Sequence, residues 1–398
     1  SAIDCLESMK LSEKMSSLGT ETAFEVLAQA ESLANEGRDI INLGIGQPDS
    51  SPPAQVVDAA IKALRDGHHG YTAAPGIYPI REAVAEYLAH TLRVEVSPEN
   101  ILVTPGGKPT IFFAIMMFGE LGAEILYPNP GFPIYESVIR FSGAKPVPIP
   151  ISEGNNFSFK ADELLSLITP ATRLIILNSP GNPAGGAACK SEMDKFVAGI
   201  DARPDIAILS DEIYSRIYYG GTEHVSLLSY PQIRDRLILL DGWSKTYAMT
   251  GWRIGFSVWP NELIEGAIRL AINCHSCVNA ASQWGAIAAL KGPQASVLDM
   301  IASFDERRRF LVEALNAIPG ITCKDPVGAF YVFPNITGSG INSFTLQQEL
   351  LEKAGVATIA GTSFGKFGEG YLRISYASPL QNIRLAIDRI KDYLSCCL

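Results

Sequence analysis

From about residue 54 onward, short apolar runs alternate with stretches of helical period, and this alternation constrains the fold more than any other feature of the chain. The runs are 100–104, 124–127, 145–149, 174–177, 206–210, 237–241 and 254–258, with 80–92 and 192–200 among the intervening amphipathic stretches. Runs apolar on both faces suit strands covered on both sides, and strands joined through helices run parallel because the crossover returns each to the same edge. The pattern predicts an α/β fold with a mostly parallel central sheet and helices on both faces. After about residue 290 the character changes. A long charged helix over 297–315 leads into 321–324, 329–333, 344–354, 371–376 and a final helix, which predicts a smaller α+β domain. The first forty residues read as a solvent-facing helix in which Phe24, Leu27, Ala28 and Leu33 fall near a helical period; Gly37-Arg38-Asp39 ends it before a short strand at 40–43. The expected division is an N-terminal arm that joins the small domain (1–45), a large domain (46–290) and a small C-terminal domain (291–398).

A chain of 398 residues, 47% hydrophobic and 19% charged, is long enough for a large core and more than one domain. Its formal net charge of −10 opposes any broad attraction to nucleic acid or anionic lipid, and neither partner is expected. The most apolar run, 111–118, falls far short of the roughly 20 residues that cross a bilayer. Asp4, Glu7, Lys10 and Glu13 place charge where a leader would be apolar, so a cytoplasmic location is expected. Seven cysteines without framework spacing read as reduced thiols. Cys274-His275-Ser276-Cys277 is the one cluster worth testing as a metal site, but no second pair completes a zinc set, and no metal is expected. Cys396-Cys397 reads as part of a frayed end.

Four motifs sit where strands give way to turns, and a fifth lies within a strand. Thr104-Pro105-Gly106-Gly107-Lys108-Pro109-Thr110 follows a strand and opens an apolar helix, an arrangement that can cradle a phosphate on free backbone N–H groups. It is not a Walker loop, because Leu102 and Pro109 occupy positions that motif reserves for Gly and Ser/Thr. Asn178-Ser179-Pro180-Gly181-Asn182-Pro183 makes a rigid turn at a strand's carboxyl end, the usual ligand side of an open sheet. Ser210-Asp211-Glu212-Ile213-Tyr214 ends a buried strand in an acid that is either a helix cap or a functional carboxylate. Lys245 lies just past another apolar strand, where desolvation can leave an amine neutral enough to attack a carbonyl. Arg373 stands inside an apolar strand and needs an anionic partner, which a carboxylate supplies through two parallel hydrogen bonds. Singly, each has a plain alternative as a glycine turn, a proline turn, a cap or a solvated cation.

Taken in order, these motifs resemble the class I aminotransferases of pyridoxal-phosphate fold type I, from about Gly46 to Arg373, most specifically over Ser244-Lys245-Thr246-Tyr247-Ala248-Met249-Thr250-Gly251-Trp252-Arg253-Ile254-Gly255. The resemblance implies that 46–290 binds pyridoxal 5′-phosphate, with Lys245 forming its imine and later carrying the substrate Cα proton. It implies that Asp211 keeps the pyridine nitrogen protonated, that Tyr214 and Asn182 bond the ring oxygen, and that Phe132 stacks on the ring where the family often has Trp or Tyr. Gly107, Lys108 and Arg253 would hold the phosphate, helped by Ser244. Arg373 would clamp the substrate α-carboxylate, with Gly46 lining the same site and Asn182 beside it. Tyr71 matches a tyrosine that crosses to the partner subunit's phosphate, which implies a homodimer with shared sites.

The implied activity is transfer of an amino group from an L-amino acid to a 2-oxo acid by ping-pong kinetics. Lys108 could also meet a distal substrate carboxylate, which favours aspartate- or glutamate-like donors; alanine, aromatic and basic donors stay open. The same scaffold supports lyases, decarboxylases and amino-acid oxidases, which differ in the bond aligned with the ring. A ligand-sensing domain is the remaining alternative, disfavoured because only a short arm precedes the enzyme-like region.

Overall fold

The computed structural model describes residues 8–397; Asp4, Cys5 and Glu7 lie outside them. Strand β1 (Ile41–Asn42) follows the helix Ala23–Asn35. The next seven strands are β2 (Ile101–Thr104), β3 (Glu124–Asn129), β4 (Lys145–Pro150), β5 (Thr172–Asn178), β6 (Ala207–Asp211), β7 (Leu237–Gly242) and β8 (Gly255–Val258). They form one sheet in the order β2-β8-β7-β6-β5-β3-β4. Every neighbouring pair is parallel except those made by β8, which runs antiparallel to both β2 and β7. The chain is therefore α/β with a mostly parallel central sheet, and the seven expected runs match its strands to within two residues at each end.

Alternation along each strand divides the sheet's side chains between two cores. In β5, Ile175 and Leu177 join a cluster with Phe196, Ile208 and Leu239, while Leu174 and Ile176 face Ile125, Leu209 and Ile238 on the other side. Each such aliphatic side chain is almost fully buried and stabilises the fold by roughly 1.5–3 kcal/mol. That double burial explains why these strands read as continuous apolar runs.

The C-terminal part contributes β9 (Tyr331–Val332), β10 (Val356–Ala357), β11 (Ile359–Ala360) and β12 (Leu372–Ser375). Strands β11, β12 and β9 form an antiparallel sheet, and β10 pairs in parallel with β1, so the N-terminal segment joins this region. A third core packs Phe304 and Leu311 of the helix Ala295–Asn316 against Phe330, Ile374, Ile387 and the N-terminal Leu43.

Some local expectations differ from the structure. Residues 321–324 make only an isolated bridge, Thr322 to Asn335. The stretch 344–354 is helical to Glu349 and then widens into a π turn, Leu350–Ala354, which Gly355 ends at φ 69°. The helix Ala23–Asn35 buries Val26 and Ala30, whereas Phe24 is exposed. The final helix, Leu380–Cys397, continues through the cysteine pair, so those residues are helical.

Candidate active site

Strands β5, β6 and β7 end at one level: Asn178 pairs in register with Asp211, and Asp211 with Leu240. Beyond these carboxyl ends lies a cavity of about 400 Å³. Its other walls come from Arg373 of β12, from Gly44, Ile45 and Gly46, and from Glu21, Phe24 and Leu27. A crevice at the carboxyl ends of parallel strands is where open α/β sheets bind ligands.

Lys245 reaches this cavity from the tight turn after β7, in which the Met249 N–H bonds the Ser244 carbonyl and Ala248 adopts φ 54°. Its Nζ donates to the Gly46 carbonyl. Burial disfavours the ammonium, and Arg373 and Arg253 repel it further, so its pKa falls from 10.5 to about 8. Asp211 ends β6 and is 5% exposed. Burial raises its pKa to about 6, against hydrogen bonds from the Tyr135 hydroxyl (2.5 Å) and the Ile213 N–H (3.3 Å). Both donors are neutral. The Tyr214 hydroxyl pairs at 2.9 Å with that of Tyr331, and burial drives Tyr214 well above the usual tyrosine range.

On the opposite wall, Arg373 is 4% exposed and stacks over Tyr331 and Phe364, its guanidinium carbon 4.3 and 4.8 Å from the ring centres. Its Nη1 donates to Asn182 Oδ1 and its Nη2 to the Gly44 carbonyl, both at 2.9 Å, while Nε is buried without a partner. Gly46 lies against the same group: a Cβ there would come within 3.1 Å of the Tyr331 hydroxyl and 3.9 Å of Arg373 Nη2.

Gly106 and Gly107 precede the helix Lys108–Phe118. Gly106 adopts φ 84°, and a Cβ there would fall 2.2 Å from Arg253 Nη2, so the guanidinium can lie across the turn only because that position has no side chain. Arg253 Nη1 donates to the Thr250 carbonyl at 2.7 Å, and buried Ser244 lines the same pocket. Phe132 meets Tyr135 edge-on at 5.7 Å. Lys108 Nζ stands 5.6 Å from the Phe132 ring centre and 2.7 Å from the Glu21 carboxylate.

Eleven of the twelve residues singled out in the sequence thus line one cavity: Lys245, Asp211, Tyr214, Asn182, Gly46, Gly107, Lys108, Phe132, Ser244, Arg253 and Arg373. Tyr71 does not; it is 93% exposed. Sequence reasoning missed Tyr135, Tyr331 and Glu21 as contributors; Gly106 lay within the expected phosphate turn, but its role as the bare position beneath Arg253 shows only in the structure. At the Cys-His-Ser-Cys cluster, His275 stacks on Phe113 at 6.1 Å and Cys277 Sγ accepts from the Thr72 N–H at 3.4 Å. Among the described residues no three His, Cys, Asp or Glu side chains are grouped to hold a metal ion.

Comparison with known proteins gives a consistent family. The profile of aminotransferase class I and II matches residues 38–390. An aspartate aminotransferase of Pyrococcus horikoshii is 39% identical over 91% of this chain and 92% of its own length. An aspartate/prephenate aminotransferase of Nitrosomonas europaea is 36% identical over 97% of this chain and all of its own. The solved structure of the aspartate aminotransferase of Rhizobium meliloti superposes with a TM-score of 0.93 at 32% identity, covering 98% of this chain and 99% of that one. With the fold, the strand-end cavity and this match over nearly its whole length, the chain belongs to the class I and II aminotransferase family.

Proposed function

We propose that this aminotransferase holds pyridoxal 5′-phosphate in the strand-end cavity through Lys245 and passes an amino group from an aspartate- or glutamate-like donor to a 2-oxo acid by ping-pong kinetics. The observation that carries the reading is one cavity containing an amine lowered to about 8 and a buried carboxylate whose hydrogen-bond donors are neutral. The residues present fit the cofactor. A buried carboxylate without a cation in contact matches a protonated ring nitrogen, and the bare Gly106 turn beneath Arg253 matches a phosphate at a helix N-terminus. When bound, the cofactor supplies an electron sink for the substrate's Cα electrons.

The side chains then divide the work. Lys245, a base near neutrality, would take the proton from the substrate Cα and deliver it to the cofactor carbon that carried the aldehyde. Asp211 holds the ring nitrogen's proton, and Tyr135 holds Asp211. Asn182 spends its Oδ1 on Arg373 and keeps its amide N–H free to bond the ring oxygen, alongside the Tyr214 hydroxyl. Phe132 covers the ring face. Gly107, Ser244, Arg253 and the main-chain N–H of Lys108 fix the phosphate, which leaves the Lys108 side chain free for another partner. Arg373 offers its unpartnered Nε to the substrate α-carboxylate while two aromatic rings hold its plane. Lys108 meets a distal carboxylate, and the relatives named for aspartate favour the acidic donor.

Exposed Tyr71 is assigned to a second copy's phosphate site, which makes the working unit a homodimer. The free thiols Cys189, Cys274, Cys277, Cys323, Cys396 and Cys397 support a cytoplasmic, reducing location. Two core clusters drawn almost wholly from 46–290, and a third built mainly from 291–398 that also takes in Ile41 and Leu43 of the arm and Tyr214, Ile217 and Tyr219, support a division into arm (1–45), large domain (46–290) and small domain (291–398).

Borohydride reduction of the holoenzyme followed by peptide mapping should leave the cofactor's mass on the peptide containing Lys245; an adduct on another lysine overturns the assignment. Lys245→Ala should cut turnover by roughly 10³-fold or more with an unchanged circular dichroism spectrum.

A further inference from the structure

The outer end of the cavity holds a charge arrangement that the reaction itself does not require. Lys108 Nζ is 2.7 Å from Glu21 Oε1, and that oxygen is buried with no hydrogen-bond donor besides this cation. Phe24, Leu27, Ile111 and Phe132 line the cavity with them, so the pair has an apolar wall on one side while the half-exposed Lys108 faces solvent on the other. Glu21 belongs to the turn that starts the helix Ala23–Asn35, with its carbonyl accepting from the Phe24 N–H and Thr22 bonded to Ser363. The turn is anchored, and the carboxylate reaches inward.

A substrate extending from Arg373 toward Lys108 meets this pair. An apolar side chain packs on the aromatic and aliphatic wall and leaves the pair closed. A distal carboxylate wants the same ammonium and approaches a like charge to reach it. We propose that Glu21 sets the balance between acidic and apolar substrates, by holding Lys108 in an ion pair that acidic substrates open and apolar ones leave intact. Opening is inexpensive, because the Lys108 side chain is 46% exposed and solvent screens the attraction. Ping-pong transfer gives the device a use: donor and acceptor enter one cavity in turn, and a pair that opens or closes lets that cavity take a dicarboxylic donor and an apolar acceptor alternately. The proposal rests on the reading of Lys108 as the partner of a distal carboxylate.

Binding of non-reacting acids to the holoenzyme tests it. Dissociation constants for succinate and for 3-phenylpropionate are measured by calorimetry in the wild type, Glu21→Gln, Lys108→Met and the double variant. Glu21→Gln should tighten succinate about five- to tenfold and leave 3-phenylpropionate within about twofold, which also shows that the site remains folded. Lys108→Met should weaken succinate alone, and the gain from Glu21→Gln should vanish in its background. Parallel changes for both acids, or a succinate gain that survives Lys108→Met, overturn the role of Glu21. If Lys108→Met leaves the ratio of the two constants unchanged, the parent reading of Lys108 falls and the proposal falls with it. If Lys108→Met weakens succinate while Glu21→Gln changes nothing, only the Glu21 proposal falls.

Discussion

Asp211 is neutral over part of the range in which a free aspartate is charged, because burial lifts its pKa from 3.8 to about 6. In protein stripped of cofactor, the folded state therefore binds more protons than the unfolded chain between those values. Its contribution to stability is greatest below about pH 4 and falls as pH rises through about 6. Asp211→Asn removes the buried charge and keeps an acceptor for the Tyr135 hydroxyl. The stripped variant should melt above the stripped wild type at pH 7.5 and near it at about pH 4, while the holo variant loses turnover; equal melting differences at both pH values contradict the assignment. Lys245 runs the other way. Lowered from 10.5 to about 8, it makes the unfolded chain the stronger proton binder across that interval, so this group's contribution to stability rises as pH climbs from 8 to 10.5. Two ionisable groups thus sit in states their surroundings disfavour, and a cofactor that bonds the amine and pairs with the acid relieves both.

The glycine turn before the helix Lys108–Phe118 belongs to the scale of an element, since it exists to let Arg253 cross a backbone. Gly106→Ala puts a methyl 2.2 Å from that guanidinium at a φ of 84°. Loss of one charge-assisted contact predicts cofactor binding weaker by about ten- to a hundredfold in a spectrophotometric titration; an unchanged dissociation constant would remove Arg253 from the phosphate site. Strands β5 to β7 were legible in the sequence because burial on both faces leaves consecutive apolar residues over 174–177, 206–209 and 237–240. The helix Ala23–Asn35 was legible as a helix but not in its orientation. It buries Val26 and Ala30 against Phe333, Leu351 and Ala357, while Phe24 and Leu27 turn to a cavity, so apolar character there marks a ligand wall as well as a core. Tyr135, Tyr331 and Glu21 had no local signature. Tyr135 finds Asp211 across 76 positions of sequence and Tyr331 finds Tyr214 across 117, and such partners become visible only when the sheet has formed.

At the scale of the whole molecule, Tyr71 stands free of this chain's cavity, and its assignment to a neighbouring copy has a sharp test. Tyr71→Ala and Lys245→Ala homodimers should each be impaired, the second severely. Unfolding and refolding them together should restore activity, because a hybrid dimer contains one site that draws an intact lysine from one subunit and an intact tyrosine from the other; no recovery in verified hybrids rules out shared sites. The cavity also has a consequence in time. Its walls come from as early as Glu21 and as late as Arg373, and Arg373 is one of the groups that lower Lys245 toward neutrality. Until β12 has been made and packed, the cavity lacks one wall and one of the two cations that, after burial, lower Lys245. A fragment that stops before Leu372 should therefore lack the closed cavity, whatever share of the central sheet it has already formed.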